Sequence, residues 1–357
     1  METLKSYKKE LIIIGACGLI IGVFGALLVK FGNPGNMGFC IACFIRDTAG
    51  GLGLHSAAKV QYIRPEIIGL VLGAFGISLV RREFKPRGGS SPLTRFVISF
   101  FVMVGCLMFL GCPLRMTLRI AGGDLNAIVG LVGFIAGILN GIIFLKNGFS
   151  LKRAYTQTPA EGGAMPVIQA VLLILLLAAP AFIYFSAEGP GASHAPILIS
   201  LGAGLIVGGF AQISRLCMVG GIRDFVLFRE KRLLFGFIIL VVAAFIVNLC
   251  LGSFNPGFEN QPIAHSDGLW NFMGMLLVGY GSVLLGGCPL RQLVLSGEGN
   301  SDSAITVLGL LVGAAFCHNF GLASSADGVT FAGKIGVLIG LAVITVIALS
   351  NTIKNRS

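Results

Sequence analysis

Charge is what this chain has least of. Asp, Glu, Lys and Arg make up 11% of its residues, against about 25% in a soluble domain. No polar segment is long enough to build a core of its own, so no soluble domain is expected. No Walker-type phosphate loop is present, so direct coupling to ATP within this chain is not expected. The four histidines, His55, His194, His265 and His318, show no ligand spacing to one another, and a structural metal site is not expected. Acids within the apolar segments are few. Glu66 stands near a helix start, while Asp47, Asp124 and Asp224 fall in polar connecting stretches, which gives little basis for proton coupling. No catalytic residue and no cofactor is expected.

What is present is apolar and arranged in long runs. Hydrophobic residues are 55% of the chain and the mean hydropathy is +0.91, which places it in the membrane class. Ten segments are long and apolar enough to span: 11–29, 65–80, 96–110, 125–145, 166–186, 196–213, 233–251, 268–285, 303–320 and 333–350. Residues 1–10 are basic and no small-residue cleavage site precedes Lys30, so the first run is expected to be a helix that stays. Glycine is at about twice its usual share. The spacings Gly18/Gly22, Gly69/Gly73, Gly204/Gly208 and Gly309/Gly313 suit close helix packing in a bilayer.

Loop charge sets an orientation. With the N-terminus in the cytoplasm, 19 of the 26 basic residues fall on the inside, Lys5, Lys354 and Arg356 among them. Lys30, Arg46, Lys59, Arg64, Arg115, Arg119 and Lys334 fall outside. Residues 187–195, 252–267 and 321–332 hold no Lys or Arg, which supports an outer position. Both termini are then cytoplasmic. The net charge of +11 follows from this topology and calls for no nucleic-acid partner.

The chain also contains a duplication. Gly-Cys-Pro-Leu-Arg occurs at residues 111–115 and again at 287–291. Cys40 is followed by Arg46-Asp47, and Cys217 by Arg223-Asp224, at the same interval. Residues 1–186 are taken as one repeat and 187–357 as the other, within a single membrane domain. Each has five spans, and an odd number inverts the second repeat relative to the first. The expected fold is an all-α polytopic membrane protein with 9–10 transmembrane helices, short re-entrant helices and an inverted internal repeat.

The motif itself suggests chemistry. Proline suits the first turn of a helix, so Cys112 and Cys288 are expected at N-caps of helices that restart after a break. Such broken backbone is tolerated at membrane depth where it lines a cavity or is buried in protein. The free N–H groups and helix dipole make an anion site, and Arg115 and Arg291 lie within reach of it. The segments after Cys40 and Cys217 are too short to span and read as re-entrant or interfacial helices. A thiol is a weak donor and a soft, polarisable acceptor. It suits an anion that presents its own sulfur or selenium. Candidate path residues are therefore Cys40, Cys112, Cys217 and Cys288, with Arg46, Arg115, Arg223 and Arg291. Cys17, Cys106, Cys250 and Cys317 read as apolar packing. Cys40 and Cys43 form a C-x-x-C that suits a redox dithiol, but the position matching Cys43 is Gly220.

The duplicated Gly-Cys-Pro-Leu-Arg and the paired Cys/Arg-Asp segments resemble the YeeE/YedE family of bacterial inner-membrane proteins over essentially the whole chain. The resemblance implies thiosulfate uptake, an hourglass shape and a path lined by those four cysteines. The form of the motif is closest to the YedE type, which is linked to selenium transport and to small TusA-like sulfur carriers. A separate cytoplasmic TusA-like partner is implied, with the basic residues 81–95 and 223–232 as docking candidates. The expected function is a permease, not an enzyme, moving a small sulfur or selenium anion across the bilayer from periplasm to cytoplasm. The alternatives are a membrane thiol–disulfide redox protein and a nonselective anion channel.

Overall fold

A computed structural model describes residues 2–353, with side chains from 7 to 352. Of the charges counted above, Lys354, Arg356 and the side chain of Lys5 lie outside the described residues. The first half runs α1 (Glu2–Lys30), α2 (Ile41–Gly51), α3 (Pro65–Val80), α4 (Pro92–Phe109), α5 (Pro113–Ala121), α6 (Leu125–Lys146) and α7 (Pro159–Ala178). The second runs α8 (Ile197–Ser214), α9 (Met218–Phe228), α10 (Arg232–Cys250), α11 (Gly268–Leu284), α12 (Pro289–Gly297), α13 (Ser301–Asn319) and α14 (Phe331–Ile353). Among the described residues, nine helical stretches are long and apolar enough to cross a membrane, and α3 is a shorter apolar helix of 16 residues. The chain is an all-α polytopic membrane protein. Among the described residues, one pair of strands, β1 (Arg87–Gly88) and β2 (Tyr155–Thr156), clips two loops together.

Helix ends follow local chemistry more closely than hydropathy. The segment expected at 166–186 instead begins at Pro159. A capping box between Thr158 and Glu161 starts it, with Pro159 in the first turn. The apolar run continues past Ala178, but Ala179 adopts a left-handed conformation and Pro180 follows. Pro92 likewise moves the start of α4 ahead of residue 96.

The first six elements of each half pair in a pseudo-two-fold manner, while α7 and α14 pack differently, and the glycine spacings locate the crossings. A side-chain carbon on Gly18 of α1 would meet Gly236 and Leu240 of α10, and one on Gly22 would meet Leu240 and Ala243. In the equivalent crossing, Gly204 of α8 faces Glu66 and Leu70 of α3, and Gly208 faces Leu70. Gly133 and Gly137 of α6 pack on Phe272 and Leu276 of α11. Gly309 and Gly313 of α13 pack on Phe96 and Phe100 of α4. These four pairs run parallel. Equivalent helices run antiparallel: Gly105 of α4 meets Gly274 of α11, while Val102 meets Gly281. Asn33, just past the end of α1, binds the backbone of Ala195 before α8. Glu10 and Ile14, near the start of α1, share a groove with Ile213 and Ser214 at the end of α8. The repeat is therefore inverted.

Small residues at these crossings bring backbones into contact. Gly208→Leu is expected to lower the melting temperature in detergent, because a side chain there overlaps Leu70; overpacking costs about 1–3 kcal/mol. Gly202→Leu, on the same helix with nothing within 4 Å, is the control and should melt like the parent. Equal melting of the two variants would refute the crossing.

Loop contacts sort into two faces. On one, Arg64 binds the carbonyls of Pro190 and Ser193, Asn255 binds Gly122 and Asn319 binds Leu54. On the other, Lys85 binds Glu298, Ser90 binds Asp302 and Gln212 binds Glu83. Loops assigned to opposite sides from charge fall on opposite faces. Between them, α4–α5 and α11–α12 occupy the centre: their apolar windows are 83% buried, against 28% for α10 and 33% for α14.

Candidate functional site

Four short helices carry the four duplicated cysteines, and each cysteine is an N-cap. Cys40 caps α2 and Cys217 caps α9. The Cys40 sulfur accepts the backbone N–H of Cys43 at 3.3 Å, and that of Cys217 accepts Gly220 at 3.3 Å. Cys43 and Gly220 thus do the same backbone work, which leaves only the side chain of Cys43 without a counterpart. Cys112 caps α5 and Cys288 caps α12, each followed by a proline in the first turn. The expected break-and-restart is present in both halves: a residue in the left-handed region stands at Leu110 in one and Gly286 in the other. The short helices extend to Gly51 and Phe228. This puts Asp47 and Asp224 inside the short helices. Asp124 is the N-cap of α6.

The caps meet in pairs. The Cys40 and Cys112 sulfurs are 4.0 Å apart, and those of Cys217 and Cys288 are 3.8 Å apart. Both distances are far beyond the roughly 2.05 Å of a disulfide, and the thiols are free. Each pair is buried. Two helix N-termini converge at each, so positive dipole ends and first-turn N–H groups face one small volume. From each pair the helices run out to their own face. α2 and α5 end on the face of residues 190 and 255, and α9 and α12 end on the face of residues 85 and 298. Among the described contacts none joins one thiol pair to the other.

The arginines differ more than the motif suggests. Arg46 hydrogen-bonds Asp47 through two nitrogens, at 2.8 and 2.6 Å. Arg223 pairs with Asp224 at 2.7 Å. Arg291 pairs with Glu298 at 3.0 Å. These three are already matched by carboxylates. Arg115 is fully buried and has backbone carbonyls as its oxygen partners: Leu110, Asn36, Pro262 and Ile263. Its Nη1 also lies 3.5 Å from the Cys43 sulfur. Arg119, one turn on, pairs with Asp124 and stacks over Phe109. Next to the Arg115 carbonyls, Asn36 and Pro262 line a cavity of about 260 Å³ with Gly25, Leu118 and Asn248. On the opposite face Ser214, three residues before Cys217, lines a groove of about 430 Å³ with Lys9 and Arg81.

Residues 213–353 match the YeeE/YedE sulphur transport family. The match covers α9 to α14 and so includes Cys217, Arg223, Cys288 and Arg291. It is to the family as a whole and does not single out the YedE type. No curated protein matches the chain. The match makes residues 213–353 similar to a family of sulfur-compound transporters. The inverted repeat gives the matched elements a second copy in the first half, outside the matched region, with the same N-cap cysteines and the same thiol contact.

Sequence inspection missed the supports of this centre. Asp47 bridges Arg46 and Arg64, with Arg64 Nη2 at 2.7 Å. All three are buried, and they tie α2 to the start of α3. Glu66 is fully buried and accepts from Asn33 at 2.8 Å and Ser200 at 2.9 Å. Asn33 in turn binds the carbonyl of Gly38, two residues before Cys40. An acid near a helix start was visible in the sequence. Its partners were not, because they come from α8 and from the turn after α1.

Proposed function

We propose that the protein is a permease for a small sulfur- or selenium-containing anion, which the two thiol pairs pass from the periplasmic to the cytoplasmic face. The supporting observation is the pair of thiols set between two converging helix N-termini, built twice in inverted orientation. Helix ends supply N–H donors and positive potential for the oxyanion part. The thiols supply a soft contact for the chalcogen, weak enough to release it. Charge on the loops supports a cytoplasmic N-terminus, with the face of Arg81 and Glu298 on the cytoplasmic side of an inner membrane. A TusA-like carrier would then meet the basic residues of that face. Arg81 and Arg232 there already have carboxylate neighbours in Glu83 and Glu230, so Arg82, Lys85 and Arg229 are the more available contacts.

Uptake into proteoliposomes is the test, with thiosulfate, selenite, sulfite and sulfate compared. Thiosulfate should enter at least about tenfold faster than sulfate, equivalent to about 1.4 kcal/mol, because sulfate presents no exposed sulfur to a thiol. Equal rates would overturn the relay and leave a general anion channel.

A further inference from the structure

The two Gly-Cys-Pro-Leu-Arg motifs are identical, yet their arginines are in opposite electrostatic states. The difference is one residue beyond each short helix. α5 and α12 are both nine residues long. The residues that follow are Gly122-Gly123-Asp124 in one half and Glu298-Gly299-Asn300 in the other. Gly123 and Gly299 share a left-handed backbone, with φ of 97° and 91°, so the two turns have the same shape. Gly122 and Glu298 therefore occupy the same place as C-caps. Arg291 reaches along α12 to the Glu298 carboxylate, and both side chains are about nine-tenths buried. Arg115 has no such partner at Gly122. It folds back toward the thiols and holds its charge among carbonyls.

The surroundings follow the same bias. Near Cys40 and Cys112, the buried arginines 46, 64, 115 and 119 outnumber the buried carboxylates, Asp47 and Asp124, which pair with arginines, and Glu66, which is held by Asn33 and Ser200. Near Cys217 and Cys288, Arg223 and Arg291 are matched one for one by Asp224 and Glu298. A desolvated anion is held more tightly where positive charge is uncompensated.

We infer that Glu298 is the release residue of the path. By neutralising Arg291 it makes the Cys217/Cys288 pair the weaker of the two anion sites. An anion captured beside Arg115 then leaves beside Arg291. Glu298 is a positioning residue in this scheme: it acts through Arg291 and does not touch the substrate. The inference rests on the proposed relay between thiol pairs.

The test is Glu298→Gln, which keeps an amide oxygen for Arg291 and removes the negative charge. Thiosulfate uptake by proteoliposomes is measured over a range of concentrations. The variant should show a KM lowered by about threefold or more, and a maximal rate lowered by at least as much, as expected when release becomes slow. Glu298→Asp should restore both. Arg291→Gln combined with Glu298→Gln should return KM to the parent value or above it, because the freed cation is gone. A merely structural role would lower the maximal rate with KM unchanged, and that result would overturn the inference. So would a silent Glu298→Gln. Cys112→Ser run in parallel separates the two levels. If it retains full uptake, the relay itself fails. If it loses uptake while Glu298→Gln is silent, only the release role fails.

Discussion

Cys112→Ser and Cys288→Ser should each lose thiosulfate uptake while the protein remains folded. Serine is close to cysteine in size, and its hydroxyl can accept from first-turn N–H groups, so the helix start should survive. What is lost is the soft contact. Each sulfur now lies within 4.0 Å of a partner sulfur, and an incoming chalcogen would make similar weak contacts with both. An oxygen is smaller and harder, and it binds water or the oxyanion in place of the chalcogen. Uptake should fall at least about tenfold, a barrier rise of about 1.4 kcal/mol or more. Melting in detergent should shift little. The same variants separate the other classes. A redox protein would leave a trapped mixed disulfide on the unpaired cysteine. Incidental thiols would leave the flux unchanged.

Asp47→Asn should be the most destabilising conservative change in the first half. It removes one negative charge and leaves two buried guanidinium groups, Arg46 and Arg64, without a counterion. Breaking a buried pair on one side costs about 3–5 kcal/mol. Some of Arg64's bonding survives through Pro190 and Ser193, but those carbonyls carry no net charge. The loss should appear as a lower melting temperature in detergent and as lower yield of monodisperse protein. Removing all three charges together, with apolar residues of similar volume, should recover much of the loss. If Asp47→Asn alone melts like the parent, the bridge contributes nothing to stability.

Composition and pattern made the architecture legible for a physical reason. A bilayer rewards long apolar runs and penalises charge within them, so spans can be counted from sequence. The counted spans correspond to the observed helices, with ends moved where Thr158, Pro92 and Ala179 impose local geometry. Proline after cysteine fixed the N-cap positions, since proline tolerates the first turn and little else in a helix. The duplicated landmarks and an odd number of spans were enough to expect an inverted pair.

Distances between elements lay beyond any such pattern. Nothing in the order of residues joins Cys40 to Cys112, or Cys217 to Cys288, rather than one half to the other. That pairing follows from how α2 packs beside the α4–α5 break, and α9 beside the α11–α12 break. The state of each arginine was equally hidden. Charge counting treats Arg115 and Arg291 alike because their motifs are identical. Only the folded chain brings Glu298 to one and leaves carbonyls around the other. The sequence by itself determined the membrane class, the helices, the inversion and the chemical character of the caps, all set by local or periodic rules. The tertiary structure decided which thiols touch and how Arg115 is held among carbonyls, because those groups come from separate elements that meet only on folding.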